Sequence, residues 1–275
     1  MSRIPSRDRP LTVGVVGLGV IGREVCRALD AGLPGLRLAG ATARTAATAE
    51  AFLASLATPV PLFSLEDLVA VSEVVVEASS QAHLQEIAPR ALGAGRDLVV
   101  LSCGALLGRD DWIALAARQG GRILVPSGAI GGLDAVKGGA VGPITAATME
   151  SRKAPAGWAG APWVVQQKID LDAIREETLL FEGPATEACP AFPANVNVLA
   201  ALSLAGIGPA RTTTRIYAVP GLIRNTHRVR VEGEFGSIEL EVRNVPSENP
   251  RTGRLSYLST IALLRDLGAT LRVGT

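Results

Sequence analysis

The sequence predicts an α/β protein: an N-terminal doubly wound parallel sheet with helices on both faces, followed by a smaller α+β domain. Three observations predict it. Between residues 11 and 125, short β-rich apolar runs alternate with segments of helical period. The first run leads directly into Gly17-Leu18-Gly19-Val20-Ile21-Gly22. After Pro126 the alternation stops, and three strand-like segments follow before a last helical one.

In order, Leu11–Val16 reads as a strand, and the segment after it places Val25, Cys26 and Leu29 on one helical face, closing near Gly32. Leu36–Ala41 is the second strand, Ala46–Leu56 a helix, and Ser64–Val69 a shorter one. Val74–Ala78 is apolar almost throughout, as a strand covered on both faces requires. Ser79-Ser80 would cap a helix running to about Gly93, followed by strand Asp97–Ser102, helix Asp110–Gln119 and strand Arg122–Val125. Gly-rich Pro126–Gly132 reads as a hinge into a helix at Leu133–Gly139. Ala147–Lys153 suggests a strand, Ala154–Pro162 a loop and Phe192–Ala205 a helix. The strands Arg211–Val219, Ile223–Glu232 and Ser237–Val245 come next, the last two joined by a hairpin turn at Gly233–Gly236. Leu255–Leu267 closes the chain at helical spacing. The expected domains are 1–128, completed by a C-terminal helix within 249–275, and 129–248.

Composition narrows the function. Lys and Arg number 27 against 26 Asp and Glu, scattered without runs, so no nucleic acid or anionic membrane is expected as partner. No apolar run approaches the ~18 residues of a membrane span. The polar N-terminus lacks a signal-peptide pattern, and three separated cysteines suit reduced thiols, so a cytoplasmic protein is expected. Without a CxxC, and with only two histidines, no metal site is expected.

The glycine motif gains its meaning from its place between a strand and a helix. Gly17 permits a tight turn, Gly19 lets a pyrophosphate approach the backbone, and Gly22 lets helix and strand pack closely. The backbone of Gly17, Gly19, Val20, Ile21 and Gly22 is therefore the expected dinucleotide cradle of a Rossmann domain, at the positive end of the helix dipole. An acidic residue about 20 positions further on would bind the ribose of NAD. The chain has Thr42-Ala43-Arg44-Thr45 there instead, so Arg44 is expected to hold a 2′-phosphate, favouring NADP without excluding NAD. Ala78, Ser79, Ser102 and Cys103 end strands where such a domain meets the nicotinamide ribose and ring. Cys103 lacks an evident activating histidine and reads as a small wall rather than a nucleophile.

A dehydrogenase also needs a group that handles the proton. His83, in the first turn of a helix, reads as a surface residue. Strand alternation puts Ile223, Asn225, His227, Val229 and Val231 on one face, and Arg224, Thr226, Arg228, Arg230 and Glu232 on the other. His227 on the apolar face is either a core histidine or a catalytic one. The arginine stripe suits a solvated or subunit-contact face, paired with Glu239 and Glu241.

Several segments together resemble the L-aspartate dehydrogenase family: Val15–Gly22, Ser102–Leu106, Pro126–Ala135, Phe192–Val198, Asn225-Thr226-His227 and Asn244–Pro250. The likeness covers nearly the whole chain. It implies reversible, NAD(P)-dependent oxidative deamination of L-aspartate to iminosuccinate, which hydrolyses to oxaloacetate and ammonia. Either aspartate breakdown or supply of iminosuccinate for NAD biosynthesis would use that reaction. It implies that His227 is catalytic, that Ala129 and Asn195 contact the cofactor near the nicotinamide, and that the second domain's sheet joins a homodimer. Asn225 or a nearby hydroxyl is expected to orient His227, and Gly131, Gly132, Lys137 and Thr226 are candidates for binding substrate. The departure from an NAD-dedicated member is the missing acidic residue near Arg44. Alternatives are a similar dehydrogenase acting on another amino or hydroxy acid, such as homoserine, and a regulatory protein that binds NADP without turnover.

Overall fold

The computed structural model describes residues 9–193, 196–245 and 253–274. The chain divides into two compact units: one runs to Pro126 and includes Tyr257–Val273, and the other is Ser127–Ser256 with the last two residues.

In the first unit, the parallel strands β1 (Leu11–Val16), β2 (Leu36–Thr42), β3 (Val74–Glu77), β4 (Asp97–Val100) and β5 (Ile123–Leu124) lie in the order β2-β1-β3-β4-β5. The chain leaves β1 to one side for β2 and returns to the other side for β3. The crevice at the carboxyl end of β1 is thus the switch point where such sheets take ligands. Helices α1 (Val20–Asp30), α2 (Ala46–Ala54), α3 (Leu65–Val71), α4 (Gln81–Gly93) and α5 (Asp110–Gln119) connect the strands. Ser64 and Ser80 cap α3 and α4, accepting from the backbone N–H groups of Asp67 and His83. The core joins Val13, Val15, Val74 and Val76 of the sheet to Val25, Cys26 and Leu29 of α1. Leu264 and Leu267, from the end of helix α10 (Arg254–Gly268), fill the same core.

The second unit holds a mixed sheet in the order β10-β9-β6-β8-β7. Its strands are β6 (Ile144–Lys153), β7 (Thr178–Pro184), β8 (Thr212–Ala218), β9 (Asn225–Gly233) and β10 (Gly236–Asn244). β6 and β8 run parallel, and the other neighbours are antiparallel. The helices are α6 (Leu133–Gly139), α7 (Pro162–Gln166), α8 (Ala185–Ala191) and α9 (Asn197–Ala205). Alternation gives the sheet a buried face, with Ala147, Met149 and Ser151 of β6, Ile216 of β8, and Val229 and Val231 of β9. The outer face carries a lattice of charges. Glu150 meets Arg152, Arg215 and Arg228, and Glu241 meets Arg228 and Arg243.

The second unit departs from expectation in several places, among them the unforeseen short helix α7. β7 and α8 were not foreseen, because a register shift at Leu179/Phe181 buries the adjacent Leu180 and Phe181 and breaks the period of two. The helix expected from Phe192 starts at Asn197, and Phe192 instead packs edge-on against Trp158 and Phe181 at 5.6 and 5.8 Å. The expected loop at Ala154–Pro162 contains a 3-10 turn, Pro155–Trp158, whose fully buried indole donates to the Tyr217 carbonyl at 3.0 Å. Ile223 is 82% exposed rather than sharing the face of His227, because a turn with Gly221 at φ +75° delays β9 to Asn225.

Candidate active site

The glycine loop is built for close backbone approach. Gly17 has φ +94°, and a Cβ there would lie 2.6 Å from the Ala78 carbonyl oxygen. A Cβ on Gly22 would stand 1.9 Å from the Gly17 oxygen, so α1 meets the loop at a distance that only glycine allows. A Cβ at Gly19 would meet nothing within 4 Å, because this residue, the N-cap of α1, faces open space. That space is a cleft of about 800 Å³ lined by the loop, by Thr42–Thr45 and by Ala78, Ser79 and His83. Its charged lining is Arg23 and Arg44, with no carboxylate among the described lining residues. Arg23 is braced by the Leu18 carbonyl at 3.1 Å and by the Phe52 ring, while Arg44 is exposed at the mouth. A cavity with a bare glycine floor, a helix N-terminus and two guanidinium groups fits a phosphorylated dinucleotide. Val20 and Ile21 form the first turn of α1 behind that floor.

Glu77 organises the neighbouring strand ends. Fully buried at the end of β3, its carboxylate accepts from the N–H and hydroxyl of Ser79 at 2.8 and 2.9 Å. It also accepts from the N–H and hydroxyl of Ser102, both at 2.9 Å. One carboxylate thus ties the β3 and β4 loops together, including the expected cofactor positions Ser79 and Ser102. Buried Cys103 opens the 3-10 turn that follows. Glu77 was legible as an oddity, an acid closing a run of buried valines, yet two of its four bonds come from a serine 25 positions away.

In the second unit, antiparallel pairing sets His227 of β9 opposite Ser151 of β6. Both side chains are buried, and the serine Oγ lies 3.0 Å from the imidazole Nδ1. The hydroxyl can donate to Nδ1 or accept from it, so it fixes the ring plane in either tautomer and leaves Nε2 for a ligand. Burial first, and the positive charge of Lys153 second, hold His227 neutral and push its pKa down to about 3. Lys153 follows Ser151 by two positions on β6 and shares its face. It is 4% exposed, its ammonium 4.8 Å from the centre of the Trp158 ring. Desolvation lowers its pKa to about 8.

The other expected residues fall into distinct places. Asn225 begins β9 on the face of His227, half-buried, and pairs in register with Asn244 of β10. Buried Asn244 donates from Nδ2 to the Ala129 carbonyl at 2.8 Å, anchoring the Gly-rich segment that contains Ala129 and Gly131. Thr226 lies on the opposite face from His227, its hydroxyl donating to the Arg224 carbonyl, because consecutive strand residues alternate. Lys137 is exposed on α6. Asn195 and Pro246–Pro250 lie outside the described residues. Ser151 and Lys153 were missed, and Asn244 was noted only as part of the family-like segment Asn244–Pro250; the signal for the first two was polar residues continuing the inward register of Ala147 and Met149.

The model for the aspartate dehydrogenase C-terminal domain matches residues 134–267, and that for the homoserine dehydrogenase NAD-binding domain matches 17–126. L-aspartate dehydrogenase of Bradyrhizobium diazoefficiens is 45% identical over 265 residues, spanning 96% of this chain and 94% of its own. The chain belongs to the L-aspartate dehydrogenase family. A second family member, L-aspartate dehydrogenase 3 of Bordetella bronchiseptica, is 42% identical over 98% of this chain and 100% of its own. The L-aspartate dehydrogenase fold is also that of the aspartate dehydrogenase from Thermotoga maritima, with TM-score 0.72 at 22% identity, covering 96% of this chain and 99% of that one. The first unit is accordingly a pyridine-nucleotide-binding domain. Among the described residues no helix is long and apolar enough to cross a membrane, and no group of three or more His, Cys, Asp or Glu could hold a metal.

Proposed function

We propose that this chain oxidatively deaminates L-aspartate to iminosuccinate, reversibly, with NADP favoured over NAD. The observation that carries the reading is the neutral, buried His227 held by Ser151 in a family member whose other unit has a dinucleotide cradle. When bound, the nicotinamide supplies the hydride acceptor for the substrate Cα. Gly17, Gly19, Val20, Ile21 and Gly22 would hold the pyrophosphate and Arg44 the adenosine 2′-phosphate. Ala78, Ser79, Ser102, Cys103, Ala129 and Asn195 are assigned to the nicotinamide end.

His227 acts as the acid–base group in hydrolysis of the imine. Nε2 takes a proton from the water whose oxygen bonds to the carbon of the protonated imine, while the C=N π pair moves to nitrogen and leaves a carbinolamine. The imidazolium gives that proton to the amine, the C–N bond breaks, and the hydroxyl proton passes to the departing ammonia as the C=O bond forms. Ser151 and Asn225 keep the ring oriented, and the amide of Gly131 is a further substrate contact. The charged outer face of the second sheet suits a homodimer contact, since rows of both signs on one face can pair with themselves about a two-fold axis.

The test runs in the oxidative direction with NADP⁺. L-aspartate is expected to give NADPH absorbance, while homoserine and L-alanine give less than about a hundredth of that rate, as pockets built on polar contacts discriminate. Faster turnover of homoserine would transfer the chain to a different substrate, and cofactor binding with no turnover of any amino or hydroxy acid would indicate a regulatory role.

A further inference from the structure

Among the described residues, Lys153 and His227 are the buried basic side chains, and both belong to the inner face of the second unit's sheet. Keeping a lysine head 4% exposed is costly, whereas the surrounding fold could have used an apolar residue as it does at Met149 of the same strand. The flanking charges do not share its environment. Glu150 and Arg152, on either side of Ser151, pair with each other on the outer face.

We propose that Lys153 is a substrate-binding residue that takes one carboxylate of the dicarboxylate substrate beside His227. The inference rests on the aspartate reading above and deepens it. The substrate brings two carboxylates that must leave water, and a desolvated ammonium is a strong partner for one of them. The position is set by geometry: Lys153 lies one inward step along β6 from Ser151, the residue that orients His227, and its ammonium is seated against the indole of Trp158. A cation on the centre of an otherwise apolar ring face keeps a fixed location. A carboxylate placed there also offsets the charge that helps hold His227 neutral, so binding of the correct substrate prepares the histidine to take a proton. Lys137, suggested by sequence for this task, is exposed on α6 and lacks that enclosure.

The experiment compares the intact enzyme with Lys153→Met and Lys153→Arg in reductive amination, and measures inhibition by succinate, a dicarboxylate with no reacting carbonyl. Fluorescence titration with NADPH and a melting curve on each variant establish that the fold and the cradle are intact. Lys153→Met is expected to raise the KM for oxaloacetate and the Ki for succinate together, by about tenfold to a hundredfold, the usual effect of removing a bond between charged groups. The KM for ammonia and the affinity for NADPH stay within about twofold, and Lys153→Arg recovers part of the loss. Unchanged KM and Ki in Lys153→Met, or a loss confined to kcat, would overturn the proposal. If the wild type turns over no oxaloacetate, the aspartate reading fails on its own, and direct titration of the wild type and Lys153→Met with succinate still decides whether Lys153 binds a carboxylate.

Discussion

His227, Lys153 and Arg44 each carry a prediction set by their immediate surroundings. His227→Ala removes the acid–base group and is expected to lower kcat by about 10²–10⁴-fold with little change in NADPH affinity, measured by steady-state kinetics and nucleotide titration. Ser151→Ala keeps the imidazole but frees its plane, so a smaller loss is expected. Lys153 also has a cost that can be read in stability. Its pKa falls from the usual 10.5 to about 8 on burial, so the unfolded chain takes up this proton first. Above pH 10.5 both states are neutral and the group contributes nothing. As pH falls from 10.5 to 8 the folded state loses on the order of 3 kcal/mol, and below 8 the loss is constant. Lys153→Met should therefore be more stable than the wild type at pH 7, by a margin that shrinks as pH rises through 8 to 10.5, in urea titrations at several pH values. Arg44→Ala is expected to weaken NADPH by about tenfold or more while leaving NADH nearly unchanged, since the side chain is assigned to the 2′-phosphate alone.

At the scale of elements, the turn from β1 into α1 and the crossing of β6 with β9 position the chemistry. Gly22→Ala would push a methyl group into the Gly17 carbonyl, and a destabilisation of about 1–3 kcal/mol with loss of nucleotide binding is expected from melting and titration. The first turn was readable from sequence because it is local: strand, glycine spacing and helix lie within twenty residues. The pairing of β6 with β9 was not, because it joins Ser151 to His227 across 76 positions. Alternation along β9 did show that His227 and Thr226 part to opposite faces, and that the arginines would meet Glu239 and Glu241, as Arg230 and Arg228 do. It could not name the strand on the other side. β7 escaped because its register shift buries consecutive residues, and α8 because Pro190 interrupts its pattern.

For the whole molecule, two units divide the labour: one is built around a parallel sheet whose switch point opens a dinucleotide cleft, and the other around a mixed sheet with a buried basic pair. The fold class was legible because the period of the apolar residues changes at Pro126, and residues 17–126 and 134–267 match different domain models on either side of that change. The reaction rested on segments read together, because Asn225-Thr226-His227 alone was equally consistent with a core histidine. Reductive amination is the deciding measurement: oxaloacetate and ammonia are mixed with enzyme, and the absorbance of NADPH and of NADH is followed in parallel for wild type and His227→Ala. The wild type is expected to oxidise the nucleotides rapidly, NADPH the faster, with near-complete loss in His227→Ala. No oxidation of either nucleotide by a wild type that binds NADPH would rule out the aspartate reaction, and full activity in His227→Ala would rule out its acid–base role.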